Sequence, residues 1–332
     1  MAKNNIDKSN MKDIIAKSAS QLTKGLEIAK NIKVEGDFKN VIICGIGGSA
    51  LPANILAAIT SPKVPIHIHR DYNLPTAANK DSLIICISYS GNTEETISAF
   101  EQALEKGFKC AAIATGGKIE EICEKNNVPL AKIPAGIQPR SATGYLFSAL
   151  STILFNSKII GDISTEIFQT ANELEKINPE LEKEAKSIAK KINKKIPIIY
   201  ASNNFKTAAR IWKIKFNENS KIPAFYNYFP ELNHNEMVGF TNKSKVSNFF
   251  VLMLKDGNDH ERTIKRMNLL ASILKKKGVK NIFIETKQGS FMFKMFASLL
   301  LGDWTSYYLA IGNKTDPTPV AMVEEFKKMM LS

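Results

Sequence analysis

The sequence lacks the features that mark export, membrane insertion or metal binding. Its opening, MAKNNIDKSNMK, has no apolar h-region and no small-residue cleavage site, so a secretory signal is not expected and a cytoplasmic location is. The longest apolar stretch, Phe291 to Leu301, is interrupted by Lys294 and followed by Asp303. It is too short to span a bilayer and reads as a buried helix, which excludes a membrane partner. Cysteine and histidine are scarce, four of each. Cys44, Cys86, Cys110 and Cys123 show no metal-type spacing, and the first three sit in strand-like apolar runs. Buried, reduced thiols follow, with no metal and no cofactor.

An aromatic-lined basic surface is also missing. The formal charge is +13, yet the lysines are scattered, with short runs such as Lys190-Lys191, Lys194-Lys195 and Lys275 to Lys277. No aromatic residues interleave with them, which argues against nucleic acid. A positive field does attract an anionic substrate. What is present is a globular composition: 332 residues, 44% hydrophobic and 23% charged, enough for two domains.

The chain alternates strand and helix signals. An amphipathic stretch, Met11 to Asn31, precedes short apolar runs at Val41 to Cys44, Val64 to Ile68, Leu83 to Ile87 and Lys109 to Ala114. Helical segments at 50–59, 93–106, 118–125 and 143–156 separate or follow them. Ser157 to Lys195 is polar and helical, and Pro179 should break it into two pieces. A second series follows, with strands at 196–200, 224–228, 248–254 and 281–285. Its helices fall at 205–219, 259–276 and 290–310, with a short one after Pro319. Continuous apolar strands joined by helices predict parallel sheets covered on both faces. The fold class is therefore α/β, with two domains, 1–156 and 157–332.

The chemistry concentrates at two strand-to-helix junctions. Gly45-Ile46-Gly47-Gly48-Ser49-Ala50 follows the first strand, where glycines admit a ligand to the backbone and a helix start offers N–H groups. Alone, this segment also fits a dinucleotide fingerprint, with Asp71 as the ribose acid. The second junction, Ser88-Tyr89-Ser90-Gly91-Asn92-Thr93-Glu94-Glu95-Thr96, favours a different ligand. Its hydroxyls and glycine build a nest for one phosphate, which a dinucleotide enzyme does not need. Helix capping by Ser90 or Thr93 is the structural alternative.

The pair GIGGSA and SYSGNTEET resembles the signature of sugar isomerase (SIS) domains. Across roughly residues 30 to 330 the chain resembles the bifunctional phosphoglucose/phosphomannose isomerases. The resemblance implies two SIS domains, each a flavodoxin-like parallel sheet flanked by helices, with phosphate held by the first. The implied phosphate ligands are Gly47, Gly48, Ser49, Ser88, Ser90 and Thr93. Ala50 departs from the glycine common in this group, at no expected cost to binding.

Aldose–ketose isomerisation needs ring opening, proton transfer between C1 and C2, and stabilisation of an oxyanion. Glu218, at a helix C-terminus in Phe216-Asn217-Glu218-Asn219, gains nothing from the helix dipole when charged. By residue pattern alone a solvent-facing helix-end glutamate is the favoured reading; the resemblance reverses that and implies the catalytic base. His234, in Asn233-His234-Asn235, matches the family's ring-opening histidine, which reaches the neighbouring subunit's site and implies a homodimer. Glu236 is a rival carboxylate two residues away. His67 and His69 alternate in a strand, where structural roles are expected, and His260 reads as a capping or surface residue. Arg140, in Pro139-Arg140, matches an active-site arginine, although an ion pair at the domain junction explains it equally from sequence. Lys327 matches an active-site lysine of the last helix. The implied activity interconverts glucose 6-phosphate and mannose 6-phosphate with fructose 6-phosphate, without metal. A non-catalytic sugar-phosphate sensor is the alternative.

Overall fold

Runs of Val, Ile, Leu and Cys without polar interruption cannot leave a face to water, and they form the centres of two parallel sheets. The computed structural model describes residues 6–242 and 246–330. It divides into two units, one formed by Ala16–Lys176, the other by the described residues up to Ile15 and from Ile177 onward.

The first unit holds β1 (Asn40–Cys44), β2 (Ile66–His69), β3 (Ser82–Ser88), β4 (Lys109–Ala114) and β5 (Leu130–Lys132). All pair in parallel, in the order β2-β1-β3-β4-β5. Every residue of β1 and β3 is buried. β5 has three residues, one of them buried, too short to show a period in sequence. The helices in chain order are α1 (Met11–Ala16), α2 (Ser20–Ala29), α3 (Leu51–Ile59), α4 (Glu94–Glu105), α5 (Gly117–Asn126), α6 (Thr143–Asn156) and α7 (Ser164–Ile192).

The Met11 to Asn31 stretch resolves as α1 and α2, parted where the Ser20 hydroxyl donates to the Lys17 carbonyl at 2.9 Å. α2 lies against α6 closely enough that a Cβ on Gly25 would meet the Tyr145 carbonyl oxygen at 2.7 Å.

Pro179 does not break the connecting helix. It lies inside the continuous, 29-residue α7. An interior proline removes one hydrogen bond and crowds the carbonyl four residues back. Here Leu174, Leu181, Ala185, Ile188 and Ile192 form one buried stripe, and its burial outweighs that loss. The division between units accordingly falls inside this helix, at 176/177, rather than at 156/157.

The second unit holds β6 (Ile196–Ser202), β7 (Phe225–Phe229), β8 (Phe249–Lys255) and β9 (Lys280–Glu285), in the parallel order β7-β6-β8-β9. Its helices are α8 (Lys206–Glu218), α9 (Glu261–Lys276), α10 (Phe291–Gly312) and α11 (Ala321–Met330). The strand order repeats that of the first four strands in the other unit. α10 is buried on almost every side, as its apolar composition requires. No helix of the described residues is long and apolar enough to cross a membrane.

Beyond β8, Asp256 is buried and receives Lys294 Nζ on both carboxylate oxygens, at 2.8 and 3.1 Å. Thr286 Oγ1 donates to the same group at 3.0 Å. Replacing Lys294 with Met should cost about 3–5 kcal/mol by stranding the Asp256 charge, read as a lowered urea midpoint at unchanged slope.

Candidate active site

In a parallel sheet ordered β2-β1-β3-β4-β5, the chain leaves β1 toward one edge and β3 toward the other. A crevice opens outside their carboxyl ends. Both sequence-selected segments sit there. Gly47–Ala50 forms a single 3-10 turn after β1, and the 88–93 loop follows β3 and enters α4.

Hydrogen bonds join the two segments. Ser49 Oγ accepts the Tyr89 N–H at 3.0 Å, linking the first loop to the second across the sheet edge. Ser88 and Thr93 share a hydroxyl–hydroxyl bond of 2.8 Å, and Ser90 Oγ accepts the Asn92 N–H at 3.2 Å. Thr93 stands at the N-cap of α4 without making a side-chain cap bond, and the 3-10 turn likewise has none. The capping alternative therefore does not explain these hydroxyls. Thr96 Oγ1 is buried in the first turn of α4 without a hydrogen-bond partner.

Two glycines are conformationally required. Gly47 has φ +57°, with open space around its missing Cβ. Gly91 has φ +71°, and a Cβ there would lie 1.7 Å from the Gly116 carbonyl oxygen. That contact presses the loop onto the start of α5, where Asn92 Oδ1 also accepts the Lys118 N–H at 3.0 Å.

Arg140 belongs to the same neighbourhood. A Cβ on Gly48 would meet the Arg140 nitrogen and the Pro139 carbonyl carbon, each at 2.8 Å, so the glycine loop rests on the Pro139-Arg140 backbone. The arginine side chain is 1% exposed, and its Nη1 donates to Gln138 Oε1 at 3.2 Å. Gly47, Gly48, Ser49, Ser88, Ser90, Thr93 and Arg140 are thus assembled within one unit.

Glu218, His234 and Lys327 stand on three elements of the other unit. Glu218 is half-buried at the end of α8. That helix end is fixed against α10: Asn219 Nδ2 donates to Ser306 Oγ at 2.9 Å, and Lys215 pairs with Asp303 at 2.5 Å. Lys221, in a left-handed conformation, places its ammonium on the Glu218 carbonyl and on that of Pro317 (3.0 Å). A cation there complements the negative helix end.

His234 is exposed, in the loop after β7. The rival Glu236 has a structural partner set: its carboxylate accepts from Tyr200 Oη at 2.6 Å and from Asn227 Nδ2. Burial, and then the Glu236 carboxylate, push the Tyr200 phenol well above its usual range, so it remains a donor. Sequence reading gave no sign of this anchor, because its three groups come from two strands and a loop. Lys327 pairs with Glu324 Oε1 at 3.1 Å on α11, where every residue is exposed. His260 caps α9, its Nδ1 accepting the Arg262 N–H at 3.1 Å, and His69 Nε2 bonds the Asn73 carbonyl at 2.8 Å. Both are structural.

The equivalent region in the second unit, beyond β6 and β8, carries Asp256 and Asp259 alongside Ser202 and Gly257. Burial raises the Asp259 carboxyl above its ordinary range. The Asp256 carboxylate is engaged by Lys294, and Asp259 Oδ2 accepts the Asp256 N–H at 3.3 Å, so these acidic groups make no anion cup.

Known proteins agree with this architecture. Residues 181–330 match the family described as the bacterial phospho-glucose isomerase C-terminal SIS domain. A bifunctional phosphoglucose/phosphomannose isomerase of Caldicellulosiruptor bescii is 39% identical over 326 residues, covering 93% of this chain and 96% of that protein. The chain belongs to this family. The Thermoplasma acidophilum member is 37% identical, over 88% of this chain and 90% of its own length. A D-glucosamine-6-phosphate 4-epimerase of Sulfolobus acidocaldarius is 32% identical over 73% of this chain and 76% of its own. Among solved structures, the C-terminal domain of a glucosamine-fructose-6-phosphate aminotransferase from Francisella tularensis superposes with a TM-score of 0.70. It covers 96% of this chain and 99% of that one, at 14% identity, and shows the shared fold.

The two glycines give a paired prediction. Gly47→Ala should cost about 1–2 kcal/mol, the strain of a left-handed residue. Gly91→Ala should cost more, because the Gly116 carbonyl must also move. Thermal unfolding of the two variants side by side checks the order.

Proposed function

We propose that this chain interconverts glucose 6-phosphate and mannose 6-phosphate with fructose 6-phosphate through a cis-enediol. The observation that carries the proposal is the hydroxyl and glycine cup beyond β1 and β3, with Arg140 under its glycine loop. Gly47, Gly48, Ser49, Ser88, Ser90 and Thr93 hold the phosphate through backbone N–H groups and hydroxyls, aided by the positive end of α4. His234 assists ring opening by proton transfer at the ring oxygen and O1. Glu218 removes the C2 proton of the open aldose and returns it to C1, while a proton passes from O2 to O1. Arg140 stabilises the enediolate oxygen, and Lys327 adds positive charge to the site. C2 becomes planar in the enediol, so the difference between glucose and mannose is erased there.

His234 serves the site of a second copy in a homodimer. Two observations support such an interface. The histidine is exposed, and α11 presents Met322, Val323, Phe326, Met329 and Met330 on its surface, from 48% to 83% exposed. A ten-residue amphipathic helix has little stability without a partner for its apolar stripe. Four free, buried thiols support a reducing, cytoplasmic setting.

Purified protein given glucose 6-phosphate or mannose 6-phosphate, with a chelator present, should yield fructose 6-phosphate from both. Product from glucose 6-phosphate alone would reject the bifunctional reading, and none from either would leave a sugar-phosphate binder. Glu218→Gln should abolish turnover and leave phosphate affinity nearly intact; retained turnover would move the base elsewhere. Mixing Glu218→Gln with His234→Ala subunits should restore activity, since a mixed dimer regains one complete site. No restoration would place His234 with its own subunit's site.

A further inference from the structure

Between Ser88 and Ser90 of the cup stands Tyr89, whose polar groups all have partners. Its N–H donates to Ser49 Oγ at 3.0 Å, and its carbonyl accepts the Thr115 N–H at 3.0 Å. Its hydroxyl donates to the Pro134 carbonyl at 3.1 Å and accepts the Ile137 N–H at 3.1 Å. The ring is 6% exposed, and burial raises the phenol, which keeps its proton in place. The main chain of Tyr89 therefore closes the cup, and its side chain grips the segment after β5 at two backbone points.

That segment leads directly to Arg140. Pro134 to Gly136 are exposed, and Gly136 has φ +97°, so little core packing holds the loop. The side-chain grip falls on Pro134 and Ile137, and Gln138 in turn accepts from the arginine at 3.2 Å. A guanidinium stabilises a developing oxyanion only when it is fixed within a fraction of an ångström. We propose that Tyr89 is a positioning residue, whose hydroxyl fixes the 134–138 loop and so aims Arg140 from the phosphate cup. The proposal rests on the isomerase reading of Arg140 given above. It adds that the phosphate loop and the oxyanion loop are one hydrogen-bonded assembly.

Tyr89→Phe keeps the ring in the core and deletes both loop bonds. It should lower kcat about tenfold while KM, and the inhibition constant of sorbitol 6-phosphate, stay within about twofold. Sorbitol 6-phosphate carries the phosphate and has no carbonyl, so it reports on the cup alone. In an Arg140→Ala background the same tyrosine substitution should have almost no further effect on kcat, the non-additivity of residues acting in series. A full tenfold drop in that background would show general loosening and overturn the proposal, as would an unchanged kcat in Tyr89→Phe. Weakened sorbitol 6-phosphate binding with unchanged kcat would assign Tyr89 to the cup instead. Wild-type activity that survives Arg140→Ala intact would sink the reading of the arginine itself, a result distinct from the others.

Discussion

The parallel pairing of β1 with β3 is the constraint on which the proposed phosphate cup depends. Its register sets Cys44 beside Cys86 and leaves Gly45 against Ile87, where a Cβ would sit 2.9 Å from the Ile87 carbonyl oxygen. Because side chains alternate with a period of two, a slip of one residue would reverse every buried contact of both strands. It would also carry Ser49 away from the Tyr89 N–H. The strands are buried on both faces, so register is fixed by packing, and the geometry of the loops beyond them is inherited from it. The proposed ligand loops thus rest on two fully buried strands.

The two sheets show what the same topology does with different loop residues. Beyond β1 and β3, small side chains leave backbone and hydroxyls facing a crevice. Beyond β6 and β8, Asp256 is paired with Lys294, and Asp259 accepts the Asp256 N–H. A buried ion pair adds little net stability over apolar packing, but removing one partner is costly. Asp256 and Lys294 are thereby committed to structure. Their unit instead contributes helix ends and loops, with α8 fixed at its C-terminus by Asn219, Lys221 and Lys215.

Much of this was legible in the sequence, for identifiable reasons. Strands buried on both faces announce themselves as apolar runs, and Val41 to Cys44 and Leu83 to Ile87 lie within β1 and β3. The proposed cup could be picked out because its hydroxyls and glycines are adjacent in the chain. β5 escaped because three residues carry no period. Pro179 misled because local propensity favours a break, whereas the buried stripe of α7 is decided by tertiary packing. The Glu236 anchor and the Tyr89 grip were invisible for a similar reason. Each joins groups far apart in sequence, Tyr200 to Glu236 and Tyr89 to Ile137, and no local pattern encodes either.

The four cysteines lie in one apolar cluster between β1, β3, β4 and α5. Burial pushes Cys110 and Cys123 up to about 12, and Cys86 well above its ordinary range. Only the thiolate reacts with alkylating reagents, so at neutral pH these groups are silent while the sheet is closed. They react when the strands separate. The rate of thiol labelling is therefore a native clock for the opening of this unit, one that needs no introduced probe.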